Sequence, residues 1–144
     1  MTLSIETIQE PTQEAQLAIF ELLKEYNLAH GVSFEAEKFL IELRDSTGAM
    51  VGGATGDSRW GWLFVGGFAV DQAYRGQGWG KKLMAQVETL ARDRHCHTVW
   101  LDTYSFQARP FYEKLGFSVF ATMKDYPPGH QRFILAKNLT NALC

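Results

Sequence analysis

Apolar positions along the chain change period several times, and each change marks an element. Leu3, Ile5 and Ile8 suggest a short first strand that Pro11 ends. From Thr12, a suitable N-cap, the apolar residues Ala15, Ile19, Leu22, Leu23 and Tyr26 keep helical spacing, and the helix should stop between Asn27 and Gly31. Residues 30–35 have no clear period. Alternation over residues 39–44, a turn at Asp45, Ser46, Thr47 and Gly48, and a return run over 50–56 predict a hairpin. That run is expected to lead through Asp57, Ser58 and Arg59 into a long apolar strand, residues 60–70. The glycine pairs Gly52, Gly53 and Gly66, Gly67 within these strands point to bulges or close backbone approach, since glycine otherwise weakens a strand.

A helix should begin near Gly78, with Leu83, Met84, Val87, Leu90 and Ala91 on one stripe and Lys82, Glu88 and Arg92 off it. The next strand is expected over 95–103; two strands separated by a helix normally run parallel. A short helix over 107–115, stopped by Gly116, and two strands over 117–122 and 132–135 complete the prediction. No internal repeat interrupts this order.

Composition narrows the class. The 144 residues suit one domain, 1–144, and 46% hydrophobic with 21% charged residues is globular rather than disordered. A net charge of −2 argues against a nucleic-acid partner. No apolar run reaches membrane-spanning length, and residues 1–6 lack the basic start of a signal peptide. Two cysteines, Cys96 and Cys144, make no disulfide framework, so a cytoplasmic protein is expected. Exposed strand edges leave room for a homodimer.

The stretch between the long apolar strand and the amphipathic helix carries the clearest chemistry. Gly76, Gly78 and Gly80 alternate there, so the backbone can take positive φ and aim successive N–H groups into one concavity. The helix start adds unpaired amides, and Lys81 and Lys82 add charge, which together suit a pyrophosphate. A P-loop is excluded: the glycine required five residues before Gly80-Lys81 is Arg75, and Lys82 stands where Ser or Thr is needed. A dinucleotide-binding turn fails as well, because its third glycine is misplaced.

The spacing Arg75-x-x-Gly78-x-Gly80, after a strand ending Phe68-Ala69-Val70, resembles the acyl-CoA-binding signature of the GCN5-related N-acetyltransferase (GNAT) superfamily. A second stretch downstream, residues 105–117, resembles that family's other signature and ends in Phe111-Tyr112, three residues, then Gly116-Phe117. The resemblance implies an α/β fold: a mixed, mostly antiparallel sheet with a central parallel strand pair, flanked by helices. It implies acetyl-CoA as co-substrate, an amine acceptor, and a cofactor site built from Phe68, Ala69, Val70, Arg75, Gly76, Gln77, Gly78, Trp79, Gly80, Lys81, Ser105 and Arg109. Ser105 departs from the asparagine many relatives carry, and its shorter hydroxyl can make one bond. Arg75 either meets a phosphate or caps the loop, and Arg109 either reaches CoA or stays on the surface.

Acetyl transfer from a thioester needs an oriented amine, a donor to the carbonyl oxygen, removal of the amine proton and a proton for the departing thiolate. Tyr112 matches the family tyrosine that serves the last of these, its alternative being a core tyrosine. His130, approached through Pro127-Pro128-Gly129, and Glu35 are candidate bases. His95-Cys96-His97 lacks metal-ligand spacing, and no metal is expected. The expected function is N-acetylation of a small-molecule or peptide amine. The alternatives are a non-catalytic acyl-CoA-binding module on the same fold and, third, a nucleotide-phosphate binder.

Overall fold

The computed structural model describes residues 1–139, so Cys144 lies outside the described residues. The chain forms two compact units, residues 1–35 and 36–144. The first holds helix α1 (Gln13–Ala29), whose N-cap Thr12 accepts a bond from Ala15 N at 3.2 Å; Gly31, at φ 73°, follows its end. Residues 3–8 form no strand. The expected alternation lasts only through Leu3 and Ile5, Ile8 is out of phase, and no ladder includes them.

The second unit is one six-stranded sheet built from β1 (Glu37–Arg44), β2 (Met50–Arg59), β3 (Trp62–Val70), β4 (Thr98–Tyr104), β5 (Ser118–Lys124) and β6 (Gln131–Asn138). The strands lie in the order β1-β2-β3-β4-β6-β5, and every pairing is antiparallel except β3 with β4. Helix α2 (Trp79–Asp93) makes the crossover between that parallel pair, and the shorter α3 (Arg109–Lys114) follows β4. Among the described residues no helix is long and apolar enough to cross a membrane.

The core lies between α2 and the sheet. Leu83, Met84, Val87 and Ala91 of α2 are buried with Leu63 and Val65 of β3, Val99 and Leu101 of β4, and Leu135 of β6. A fully buried Leu or Val contributes about 1.5–3 kcal/mol, so this layer is the main source of stability. Glu88, expected on the polar side of α2, is buried at 9% exposure and pairs with Lys137 Nζ at 2.8 Å. The helical period shows the angle of Glu88 but cannot show a cation arriving on a distant strand.

The β2–β3 connection also differs from expectation. Asp57, Ser58 and Arg59 are paired strand residues, opposite Phe64, Leu63 and Trp62, and the chain reverses at Trp60 (φ 51°) and Gly61 (φ 80°). Two successive residues at positive φ make the tight hairpin turn whose twist matches antiparallel strands. Gly52 and Gly53 stay in register, and the first glycine pair only borders a bulge: Leu43 faces Gly52 and Arg44 faces Met50, leaving Val51 as the extra residue in β2. Close approach explains Gly53, where a Cβ would lie 2.5 Å from Ile41 O. The second pair does carry one: Thr55 faces Gly67 and Gly56 faces Val65, leaving Gly66 as the extra residue in β3.

Candidate active site

Beyond that bulge the two parallel strands part. β3 pairs with β4 from Trp62 opposite Thr98 to Val65 opposite Leu101 and no further, although β3 stays paired with β2 as far as Val70. Residues 66–70 therefore present one edge of backbone N–H and C=O groups to the gap, and Asp102, Thr103 and Tyr104 line its other side. The gap is a cleft of about 1020 Å³. It is lined by the opened strand edge, by the glycine loop and by Phe111 and Tyr112 of α3.

The loop is shaped by its own bonds. Asp71 Oδ1 accepts from Ala73 N at 2.9 Å to start a single 3-10 turn, Gln72–Tyr74, and Arg75 Nε donates to Val70 O at 2.9 Å, tying the loop back to the strand end. Gly76 (φ 75°) and Gly78 (φ 86°) have nothing within 4 Å of a built Cβ. Their missing side chains keep open the space that a ligand would approach. The first helical bond joins Lys82 N to Gly78 O, so the amides of Trp79, Gly80 and Lys81 have no intrahelical acceptor and bear the positive end of α2. Gly80 serves a different purpose: a Cβ there would meet Phe111 Cζ at 3.0 Å. It lets α3 close against α2.

Tyr112 is 8% exposed and packs edge-on against Phe68, Phe111 and Phe117 at centroid distances of 5.9, 5.2 and 6.0 Å. Burial, with a smaller contribution from the Asp102 carboxylate, raises its phenol above the ordinary value. The hydroxyl is thus a proton donor throughout the neutral range. Tyr112 is among the residues that line the cleft. The Asp102 charge is itself paired with Arg132, through Oδ2 and Nη2.

The chain matches the Acetyltransferase (GNAT) family over residues 3–117. It is 39% identical to a blasticidin-S acetyltransferase of Streptomyces morookaense over 64% of this chain and 68% of that one. It is 37% identical to an acetyltransferase of Agrobacterium fabrum over 73% of this chain and 77% of that one. A solved acetyltransferase structure from Bacillus cereus superposes with a TM-score of 0.83 at 28% identity, covering 93% and 98% of the two chains. The chain belongs to the GNAT acetyltransferase family. As a member it is an acetyl-CoA-dependent N-acetyltransferase, and the parted strands, glycine loop and buried phenol share one cleft.

Phe68, Ala69, Val70, Arg75, Gly76, Gly78, Trp79, Gly80, Lys81 and Tyr112 all line that cleft. Gln77, Ser105, Arg109 and His130 do not. The Gln77 amide turns back to Ala73 O at 3.4 Å. Arg109 pairs with Glu113 at 2.9 Å and lies over the Phe133 ring. Ser105 Oγ accepts from Gln131 N at 3.1 Å and lies 3.2 Å from His130 Nδ1, so these two residues clasp the start of β6. Glu35, in the first unit, donates its amide to Ser33 Oγ at 3.3 Å.

The GNAT cleft also has lining residues that the sequence reading did not name. Asp102 and Thr103 belong to β4, and Gln107 Oε1 accepts from Thr103 Oγ1 and Tyr104 N, both at 3.1 Å, which fixes the turn into α3. The opening lies along the edge of β4, so successive residues from Leu101 to Tyr104 line it whichever face their side chains take, and no local signal marks where the neighbouring strand lets go.

Proposed function

We propose that the cleft holds acetyl-CoA with its pyrophosphate on Gly76, Gly78 and the first amides of α2, its pantetheine arm along residues 66–70, and its sulfur near Tyr112. The opened edge of β3, running from the loop to the buried phenol, is the observation that carries this reading. A pantetheine arm is an extended chain with two amides, and an unpaired strand edge offers such a chain the bonds of a missing strand. Lys81, at the loop end, adds charge for the phosphates.

The thioester supplies an activated acyl group, so the protein's part is positioning and proton management. The neutral amine attacks the carbonyl carbon, a C–N bond forms, the C–S bond breaks, the Tyr112 hydroxyl gives its proton to the departing sulfur, and the proton shed by the acylated nitrogen passes to water and restores the phenol. A thiolate of ordinary basicity, near pKa 8.5, takes that proton against the gradient, because burial holds this phenol above the ordinary value near 10, and the hydrogen bond alone stabilises it. The acceptor we propose is a small-molecule amine, supported by the likeness to a blasticidin-S acetyltransferase. The buried free thiol of Cys96 suits a reducing cytoplasm, which we propose as its compartment.

Calorimetric titration with CoA, followed by thiol release from acetyl-CoA over a panel of small amines, tests the reading. Micromolar CoA binding and turnover of at least one amine are expected. CoA binding with no turnover of any amine would restore the non-catalytic module.

A further inference from the structure

A second cavity, of about 440 Å³, opens beside the cleft and is lined by Tyr104, Phe106, Asp125, Tyr126, Pro127 and Pro128. Tyr104 lines both cavities, so they adjoin at the C-terminal end of β4. Phe106 and Tyr126 lie nearly parallel to Tyr104, at interplanar angles of 12° and 6° and centroid distances of 5.4 and 6.4 Å. A flat group entering the cavity therefore meets π faces of one common orientation. Phe106 is 57% and Tyr126 45% exposed, unusual for large aromatic residues gathered at one place.

The charge of this cavity has one sign. Asp125 is its only ionisable carboxylate or cationic lining residue, and its side chain has no ion-pair or hydrogen-bond partner among the described residues. Arg132 does not line the cavity; its guanidinium sits 5.5 Å from the Tyr126 centroid and is balanced by Asp102. Lys124 precedes Asp125 but also stays outside the lining. The Arg132 contact shows that the Tyr126 ring accepts a planar cation on a face. The turn itself is braced, with Tyr126 N donating to His130 O at 3.2 Å and His130 N to Pro127 O at 2.9 Å.

We propose that this cavity binds a flat, positively charged group of the acceptor, at a distance from the amine that is acetylated. The inference rests on the acetyl-transfer reading of the adjoining cleft. Parallel rings select flatness, Asp125 and the ring quadrupoles select positive charge, and a cavity about three times the size of one that encloses benzene has room for the group. The enzyme would thus reject an aliphatic monoamine not because it fails to react but because nothing holds it.

Benzamidine tests this, against benzamide as its neutral, flat counterpart and cyclohexylammonium as a cation that is not flat. Each is titrated calorimetrically into the full chain without CoA, and CoA is titrated separately. Benzamidine should bind about tenfold more tightly than either comparison compound. Tyr126→Ala should weaken it by about tenfold, and Asp125→Asn should bring it down to the level of benzamide. Phe106→Ala replaces Tyr126→Ala if the latter lowers the melting temperature. Equal binding of the three probes, or benzamidine binding unchanged in either the aromatic or the Asp125 variant, would overturn the proposal. CoA binding retained in that case leaves the cleft reading standing, whereas loss of CoA binding in the wild type removes the cleft reading itself.

Discussion

The two sides of β4 behave differently, and the site follows from that difference. Toward β6 the strand is paired along its whole length, from Thr98 opposite Asn138 to Tyr104 opposite Arg132, and the pairing continues as Ser105 N donates to Gln131 O at 2.9 Å. Toward β3 it is paired only to Leu101. The same residues thus belong to a closed ladder on one side and line an open cleft on the other. Sheets seldom leave a central strand half unpaired, because orphaned amides are costly unless something else binds them. The bulge at Gly66 turns β3 away, and the glycine loop and α3 then frame the gap. Breaking the closed regions should cost the fold, and breaking the open one should cost function alone.

The largest effect is expected from Gly56→Val, opposite Val65 beside the bulge. A Cβ there would lie 1.8 Å from Phe64 O, a backbone atom that cannot move without parting β2 from β3. The variant should lose more than about 3 kcal/mol and melt far below the wild type or fail to fold, as followed by circular dichroism. A melting temperature near that of the wild type would mean that the bulge is not held by this contact.

Gly78→Val acts on the open side. Its Cβ meets no protein atom, so the local cost is that of a left-handed residue, about 1–2 kcal/mol, and the melting temperature should fall by a few degrees. CoA affinity should drop beyond detection, because the side chain would fill the space we assign to the pyrophosphate. Gly80→Val should reverse the balance: its Cβ strikes Phe111 at 3.0 Å, so packing between α2 and α3 suffers first. Calorimetry and melting curves on both variants separate the cradle from the α2–α3 packing contact, and equal CoA affinity in Gly78→Val would remove the cradle.

How far such features can be read from sequence depends on how local their causes are. The glycine loop and the α2 stripe are visible because φ freedom and helical period are properties of a few consecutive residues. The turn at Trp60 and Gly61 was hidden by an apolar run that continues through it, since tryptophan is a poor advertisement for a residue at φ 51°. Asp102 was hidden because its importance comes from Arg132 beside it and the absence of β3 on its other side. Ser105 is held outside the cleft by Gln131 in β6, and Arg109 by Glu113 one turn along α3.

Tyr112→Phe tests the chemistry of the open side without altering its shape. Turnover should fall by roughly 10²-fold in single-turnover acetyl transfer while CoA affinity and melting temperature at neutral pH hold, because only a hydroxyl is lost. Alkaline stability gives an independent check. Burial raises this phenol in the folded state above its unfolded value near 10. Its contribution is then present in full below pH 10 and is lost as pH rises from there through the folded value. The wild type should therefore lose stability above pH 10 more steeply than Tyr112→Phe does. Equal rates in the two proteins would make Tyr112 a wall of the cleft and no acid.

The smallest effect belongs to His130, on the closed side. Its Nδ1 lies 3.2 Å from Ser105 Oγ, its ring meets Phe106 edge-on at 4.9 Å, and its backbone accepts from Tyr126 N. These contacts join the β5–β6 turn to the end of β4, where the second cavity adjoins the cleft. We propose that His130 is a positioning residue for the acceptor rather than the base. His130→Gln keeps a hydrogen-bonding group toward Ser105 and removes the imidazole, so KM for the acceptor should rise only a few-fold while kcat and its pH profile keep their shape. A low-pH limb that disappears in the variant would reinstate His130 as the base, and would mean that a group clasped to the paired side of β4 reaches the reacting amine on the open one.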